Sequence, residues 1–145
     1  MTDLNGRTAL ITGSSRGIGR AIAVALAEAG TDIVLNYVRR STEAEAVEQQ
    51  IQQLGRRCIT IQADVSVAKE VARLVKGAGP IDILVNNAGI ARPQPIEEIT
   101  EQDWDEVISV NLKSCFLVTQ AFLPGMRARK WGRIINLSSV AAQLG

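Results

Sequence analysis

The chain has no histidine among its 145 residues, and that single absence removes His-based catalytic triads, histidine-ligated zinc and an imidazole general base. Tyrosine occurs once, at Tyr37. The two cysteines, Cys58 and Cys115, stand in apolar surroundings without a CxxC spacing or a ligand cluster, a setting for buried reduced thiols rather than a disulfide or a metal site. Sixteen basic and fifteen acidic residues leave a net charge of +1, so no positive field for nucleic acid is supplied. The opening stretch MTDLNGRTALITG has no basic region leading into an apolar core, and no apolar run is expected to approach membrane-spanning length. These absences point to a cytoplasmic chain.

What is present is apolar and rhythmic. Hydrophobic residues make up 46% of the sequence, enough for one domain over 1–145 with a real core. Short β-prone runs at 7–12, 32–37, 57–63, 81–87 and 132–139 alternate with helical periods at 17–29, 42–54, 67–76 and 101–129, the last with a break expected near Asn111. Near-continuous apolar strands and βα alternation give an α/β fold, a doubly wound parallel sheet of five strands. Gly30 and Gly55 stand where left-handed residues end helices, Ser41 or Thr42 can cap the second helix, and Thr100 can cap the acid-rich turn TEQD.

Three glycines, Gly13, Gly17 and Gly19, separate the first strand from an alanine-rich helix in TALITGSSRGIGRAIAVALAEAG. A strand, a tight turn and a helix start bring unpaired backbone N–H groups and a positive dipole end to one point, which is an anion site. Gly13 permits the turn, Gly17 admits a pyrophosphate to the backbone, and Gly19 lets the helix pack closely.

The stretches TGSSRGIG at 12–19, ADV at 63–65, NNAG at 86–89, VNLKSCF at 110–116 and GRIINLSS at 132–139 jointly resemble the short-chain dehydrogenase/reductase family, in order and over essentially the whole chain. The wording looks most like 3-oxoacyl-[acyl-carrier-protein] reductases. The resemblance implies a Rossmann fold with a dinucleotide held by Gly13, Ser15, Arg16, Gly17, Ile18 and Gly19 in the turn. It also implies that Asp64 and Val65 contact the adenine, and that Asn86, Ala88 and Gly89 line the adenosine and ribose side. Asp64 can alternatively cap the following helix, and Asn87 is expected to be structural.

An NAD-preferring site ends its second strand with an acid for the ribose 2′-hydroxyl, whereas a 2′-phosphate needs cations. Here that strand ends in NYVRR, with Tyr37 where the acid would stand and Arg16, Arg39 and Arg40 nearby. NADP(H) is therefore the expected cofactor. Solvated loop charges remain the alternative reading of Arg39 and Arg40.

By the same resemblance Ser139, with Ser138 its near alternative, would bond the oxygen of a small-molecule or acyl-thioester substrate, and Asn111 would hold a water in a proton relay. The family's Tyr-x-x-x-Lys pair occurs nowhere in the sequence. A part of a longer carbonyl reductase, inactive by itself and with an apolar sheet edge uncovered, is thus expected; a noncatalytic NADP(H)-binding sensor is the alternative. The segment 70–82 looks about a helical turn short of the family's pattern, and pairing of subunits through 101–129 is implied by resemblance alone.

Overall fold

The computed structural model describes residues 4–140. Five strands form one parallel sheet: β1 (Thr8–Ile11), β2 (Asp32–Tyr37), β3 (Cys58–Gln62), β4 (Ile83–Asn86) and β5 (Arg133–Asn136). Their order is β3-β2-β1-β4-β5. The chain runs outward from β1 to β3 and then returns to the far side of β1, so the sheet's direction of growth reverses between β1 and β4. Ligands of open α/β sheets settle in the crevice at such a switch point.

Side-chain alternation explains why the strands read as unbroken apolar runs. Ala9, Ile11, Ile33, Leu35, Ile83 and Val85 face α1 (Gly17–Glu28) and α2 (Ser41–Gln53), whose Ala23, Ala27, Val47 and Ile51 complete that layer. Leu10, Val34 and Leu84 project to the opposite face, covered by α3 (Ala68–Ala78) and α5 (Ser114–Ala128). Both faces of the central strands β1, β2 and β4 are covered, so neither residue parity reads as polar along their middles.

The long helical region does not break. A first segment α4 (Glu101–Ile108), a π-helical turn (Ser109–Lys113) and α5 form one continuous helix, with the turn centred on Asn111. A π turn inserts an extra residue without ending the helix. At 28 residues this helix is long and apolar enough, by length and composition, to cross a bilayer, contrary to the expectation that no run approaches that length. Its Ser114, Val118, Phe122 and Met126 nevertheless recur every fourth residue and are buried, and three of them join Leu74 and Leu84 in the second core layer. Each such apolar side chain contributes about 1.5–3 kcal/mol on burial.

Helix ends agree in part with the sequence signals. Thr100 caps α4, its hydroxyl accepting from the Asp103 N–H at 3.1 Å, and Gly30 and Gly55 take φ of +103° and +77°. For α2, however, the capping position is Arg40, without a side-chain cap bond, and Ser41 is already helical. Cys58 is buried, while Cys115 is only half-buried, its Sγ 3.5 Å from the Asn111 carbonyl. β3 and β5 are the edge strands of the sheet, with Ile59 43% and Ile135 47% exposed.

Candidate functional site

The glycine turn divides into two closed positions and one open one. Gly13 has φ of +64°, and a Cβ there would stand 2.9 Å from the Ala88 Cα. At Gly19 a Cβ would stand 2.5 Å from the Asn87 side-chain nitrogen and 2.6 Å from the Gly13 carbonyl oxygen. Gly17, with φ of +56°, has nothing within 4 Å of its Cβ position. The first two glycines are therefore demanded by the protein's own packing, and the third faces open space. α1 begins there behind an extended Arg16 that offers no side-chain cap, so the first-turn N–H groups have no helical partner.

Short polar side chains fix this turn from beneath. The Ser14 hydroxyl donates to the Ile11 carbonyl at 2.9 Å and accepts from the Asn36 N–H at 3.1 Å. Thr12 Oγ1 accepts from the N–H groups of Asn87 and Ala88, each at 3.0 Å. Asn87 in turn donates to the carbonyls of Thr12 and Gly13 at 2.8 and 3.0 Å. Asn36 reaches across the strand ends, its Nδ2 donating to the Ala63 carbonyl at 2.9 Å and its Oδ1 lying 3.4 Å from the Gly13 N–H. Buried polar groups satisfied in this way hold backbone directions firmly.

A cleft of about 690 Å³ opens above this network. Gly13, Ser15, Arg16, Gly17, Ile18 and Gly19 line one side, Arg39, Asp64 and Val65 a second, and Ala88 and Gly89 a third. Val38, Arg40, Asn87, Ile90, Arg92 and Glu106 also face it. Tyr37 does not; it is the half-buried last residue of β2, and the next two residues take the rim. Asn86 does not either. It is 4% exposed, and its amide donates to Asn136 and Thr119 at 2.8 and 3.2 Å, which ties β4 to β5 and α5 and turns the side chain away from the cleft. Asp64 lines the cleft while its Oδ1 accepts from the N–H and hydroxyl of Ser66 at 2.9 and 2.6 Å, so it shapes the turn before α3 as well.

Asn111 is engaged by the strand-end loop: its Oδ1 accepts from the Ile90 N–H at 2.8 Å, and its Nδ2 donates to the Ile90 carbonyl at 2.9 Å. Arg92, two residues on, forks onto Asp103 at 2.8 Å and Glu106 at 2.5 Å. Loop 90–92 is thereby stitched to the α4 and π-turn segment. Ser138 and Ser139 are exposed in the segment after β5, outside the residues lining the cleft. Among the described residues no group of acids and cysteines is placed to hold a metal ion.

A short chain dehydrogenase family profile matches residues 7–145. The chain belongs to the short-chain dehydrogenase family. A 3-oxoacyl-[acyl-carrier-protein] reductase of Synechocystis sp. is 46% identical over 149 aligned residues, covering all of this chain and 60% of the relative; this short-chain dehydrogenase thus spans about 60% of that relative's length. Among solved structures, a metagenomic short-chain oxidoreductase in complex with NADP matches with a TM-score of 0.89 and 39% identity, over 97% of this chain and 65% of its own. A 7α-hydroxysteroid dehydrogenase complexed with NADH and 7-oxo glycochenodeoxycholic acid matches with a TM-score of 0.92 and 34% identity, over 97% and 56%. Those two relatives carry different dinucleotides on one fold.

Sequence reasoning missed Thr12, Ser14 and Asn36, which build the cleft without facing a ligand. A short polar residue at the end of an apolar strand was the available signal. It is weak, because the same residues begin turns of every kind.

Proposed function

We propose that this short-chain dehydrogenase is the cofactor-binding part of an NADPH-dependent reductase that converts a carbonyl, such as a 3-oxoacyl thioester, to a hydroxyl. The observation that carries the cofactor reading lies at the rim. Tyr37, not an acid, ends β2, and Arg16 and Arg39 both line the cleft, their guanidinium groups making no side-chain hydrogen bond or ion pair to any described residue. Unpaired guanidinium groups at the mouth of a dinucleotide cleft suit a dianionic 2′-phosphate.

In this reading the N–H groups at the start of α1 hold the pyrophosphate, reached across the open face of Gly17. Val65 and Asp64 wall the adenine, and Ala88 and Gly89 the adenosine ribose. The bound nicotinamide supplies the hydride. Ser139 bonds the substrate oxygen, and Asn111, whose side chain is fixed on Ile90, presents its carbonyl side of the π turn to a relay water. A proton donor must complete the reaction, and with no Tyr-x-x-x-Lys in the sequence the 145-residue chain by itself is proposed to bind without turning over.

Trp104, Ile108, Leu112 and Phe116 leave large apolar area exposed along the long helix, which supports pairing of two copies there. Calorimetric titration tests the cofactor reading: NADPH should bind at least tenfold more tightly than NADH. Equal affinities, or no binding of either, would overturn it.

A further inference from the structure

The cleft carries one more cation at the same rim, and it is already taken. Arg40 faces the cleft, yet its Nη1 donates to Glu43 Oε1 at 2.8 Å, with the two side chains 50% and 44% exposed. Arg40 is the residue before α2, and Glu43 lies in that helix's first turn. The i,i+3 spacing points the acid back at the rim. The Glu43 carboxyl sits below its ordinary 4.5, chiefly through the hydrogen bond from Arg40, next through a backbone hydrogen bond, with the Arg16 charge adding a smaller pull. Glu43 therefore lies inside the field of the same cations that would meet a 2′-phosphate.

We propose that Glu43 is a specificity-determining residue that withholds Arg40 from the 2′-phosphate and so sets the strength of the preference for NADPH over NADH. The inference rests on the cofactor reading above and adds a negative determinant to it. Arg16, Arg39 and Arg40 bring three positive charges to the rim and Glu43 returns one negative charge. With Glu43 in place, a phosphate dianion meets two free guanidinium groups and an opposing carboxylate. Without it, a third guanidinium swings free and the repulsion disappears. NADH presents a neutral 2′-hydroxyl there and should be nearly indifferent. Both side chains are solvated, so the effect belongs to the range of exposed ion pairs, a few-fold in affinity, and fades as salt rises.

The test is a double-mutant cycle on the 145-residue chain, with dissociation constants for NADPH, NADH and adenosine 2′,5′-bisphosphate measured by calorimetry at low and high salt. Glu43→Ala should tighten NADPH and the bisphosphate about threefold and leave NADH within about twofold. Arg40→Ala in the wild-type background should alter NADPH by less than about twofold, and in the Glu43→Ala background it should erase the gain. Glu43→Gln, which removes the charge at nearly constant size, should give part of the same gain.

An unchanged NADPH affinity in Glu43→Ala would overturn the proposal. So would a loss in Arg40→Ala alone as large as that in Arg16→Ala, because Arg40 would then already contact the phosphate. If wild-type chain binds no NADPH, or if Arg16→Ala weakens NADPH and NADH alike, the cofactor reading fails and takes this proposal with it. A selective loss in Arg16→Ala beside a silent Glu43→Ala would sink the proposal alone.

Discussion

Asn36 Nδ2 donates to the carbonyls of Ile61 and Ala63 at 3.3 and 2.9 Å, while its Oδ1 faces the Gly13 N–H at 3.4 Å. One carboxamide, 1% exposed, thus sets the glycine turn and the Asp64–Val65 wall in register with each other. Replacing it with leucine removes the bonds to two carbonyls and one amide at a part-buried strand end, at about 1–3 kcal/mol for each group that water cannot reach. Asn36→Leu should lower unfolding free energy by about 2–4 kcal/mol in urea titration and weaken NADPH at least tenfold. A control core change such as Val118→Ala, on a buried residue of α5, should destabilise while leaving the affinity nearly unchanged.

The glycines should separate cleanly under substitution. Gly19→Ala drives a methyl into Asn87 and the Gly13 carbonyl, so both thermal stability and NADPH binding should fall. Gly17→Ala meets no neighbour and incurs only the left-handed strain of about 1–2 kcal/mol. Its coenzyme affinity should fall by more than its melting temperature suggests, since the added methyl occupies the approach to the α1 amides. If Gly17→Ala binds as wild type does, the pyrophosphate does not sit there.

Arg16→Ala should cost NADPH about tenfold or more and NADH less than about threefold, in line with the loss of a charge-assisted contact to phosphate. Competition between the two coenzymes in a fluorescence titration reads both values in one experiment. A uniform loss would assign Arg16 to the helix start rather than to the 2′-phosphate.

Acid should loosen the start of α4 before the core. The Asp103 carboxyl is held below its ordinary 3.8, first by the Thr100 hydroxyl, with the Thr100 backbone and then Arg92 adding smaller pulls against an opposing effect of burial that ranks second in size. A carboxyl with a lowered folded pKa stabilises above its unfolded pKa, and this contribution is lost as the pH falls through the lower folded value. Wild type should therefore melt above Asp103→Asn at neutral pH, and the gap should close as the pH drops below about 3.8. A gap that widens in acid would contradict the Thr100 and Arg92 contacts.

Burial, with Glu48 adding a smaller electrostatic effect, pushes the Cys58 thiol up to about 12. Thiolate is the reactive form. Cys58 should resist an aromatic disulfide reagent in the native chain and react promptly in guanidinium, as mass spectrometry of the labelled peptide would record.

Much of this architecture is written plainly in the sequence, because strands covered on both faces must be apolar at every position and Ala9, Leu10 and Ile11 or Ile33, Val34 and Leu35 satisfy that rule without exception. The turn geometry follows from elementary backbone sterics: Gly13 takes a positive φ, and neither Gly13 nor Gly19 has room for a Cβ. Asn87 reads as structural and is so, through its bonds to the Thr12 and Gly13 carbonyls; Asn86 reads as a cleft residue and is not. Asn86 and Asn87 are neighbours in an identical dipeptide, and only the end of the strand between them decides that the first looks toward α5 and the second toward Thr12. The π turn was similarly hidden: Asn111 in a helical stretch reads as a weak helix former, and its bond to Ile90 spans 21 positions of chain. Ser41 failed as a cap because Arg40, bound to Glu43, already takes that place.

Gly17 has a larger consequence. Where a protein grasps its ligand by peptide groups rather than side chains, the grip is insensitive to the identity of the residues that supply it. Under the cofactor reading, selectivity can then be rewritten at the perimeter, at Arg16 and from Val38 to Glu43, while the peptide groups stay untouched.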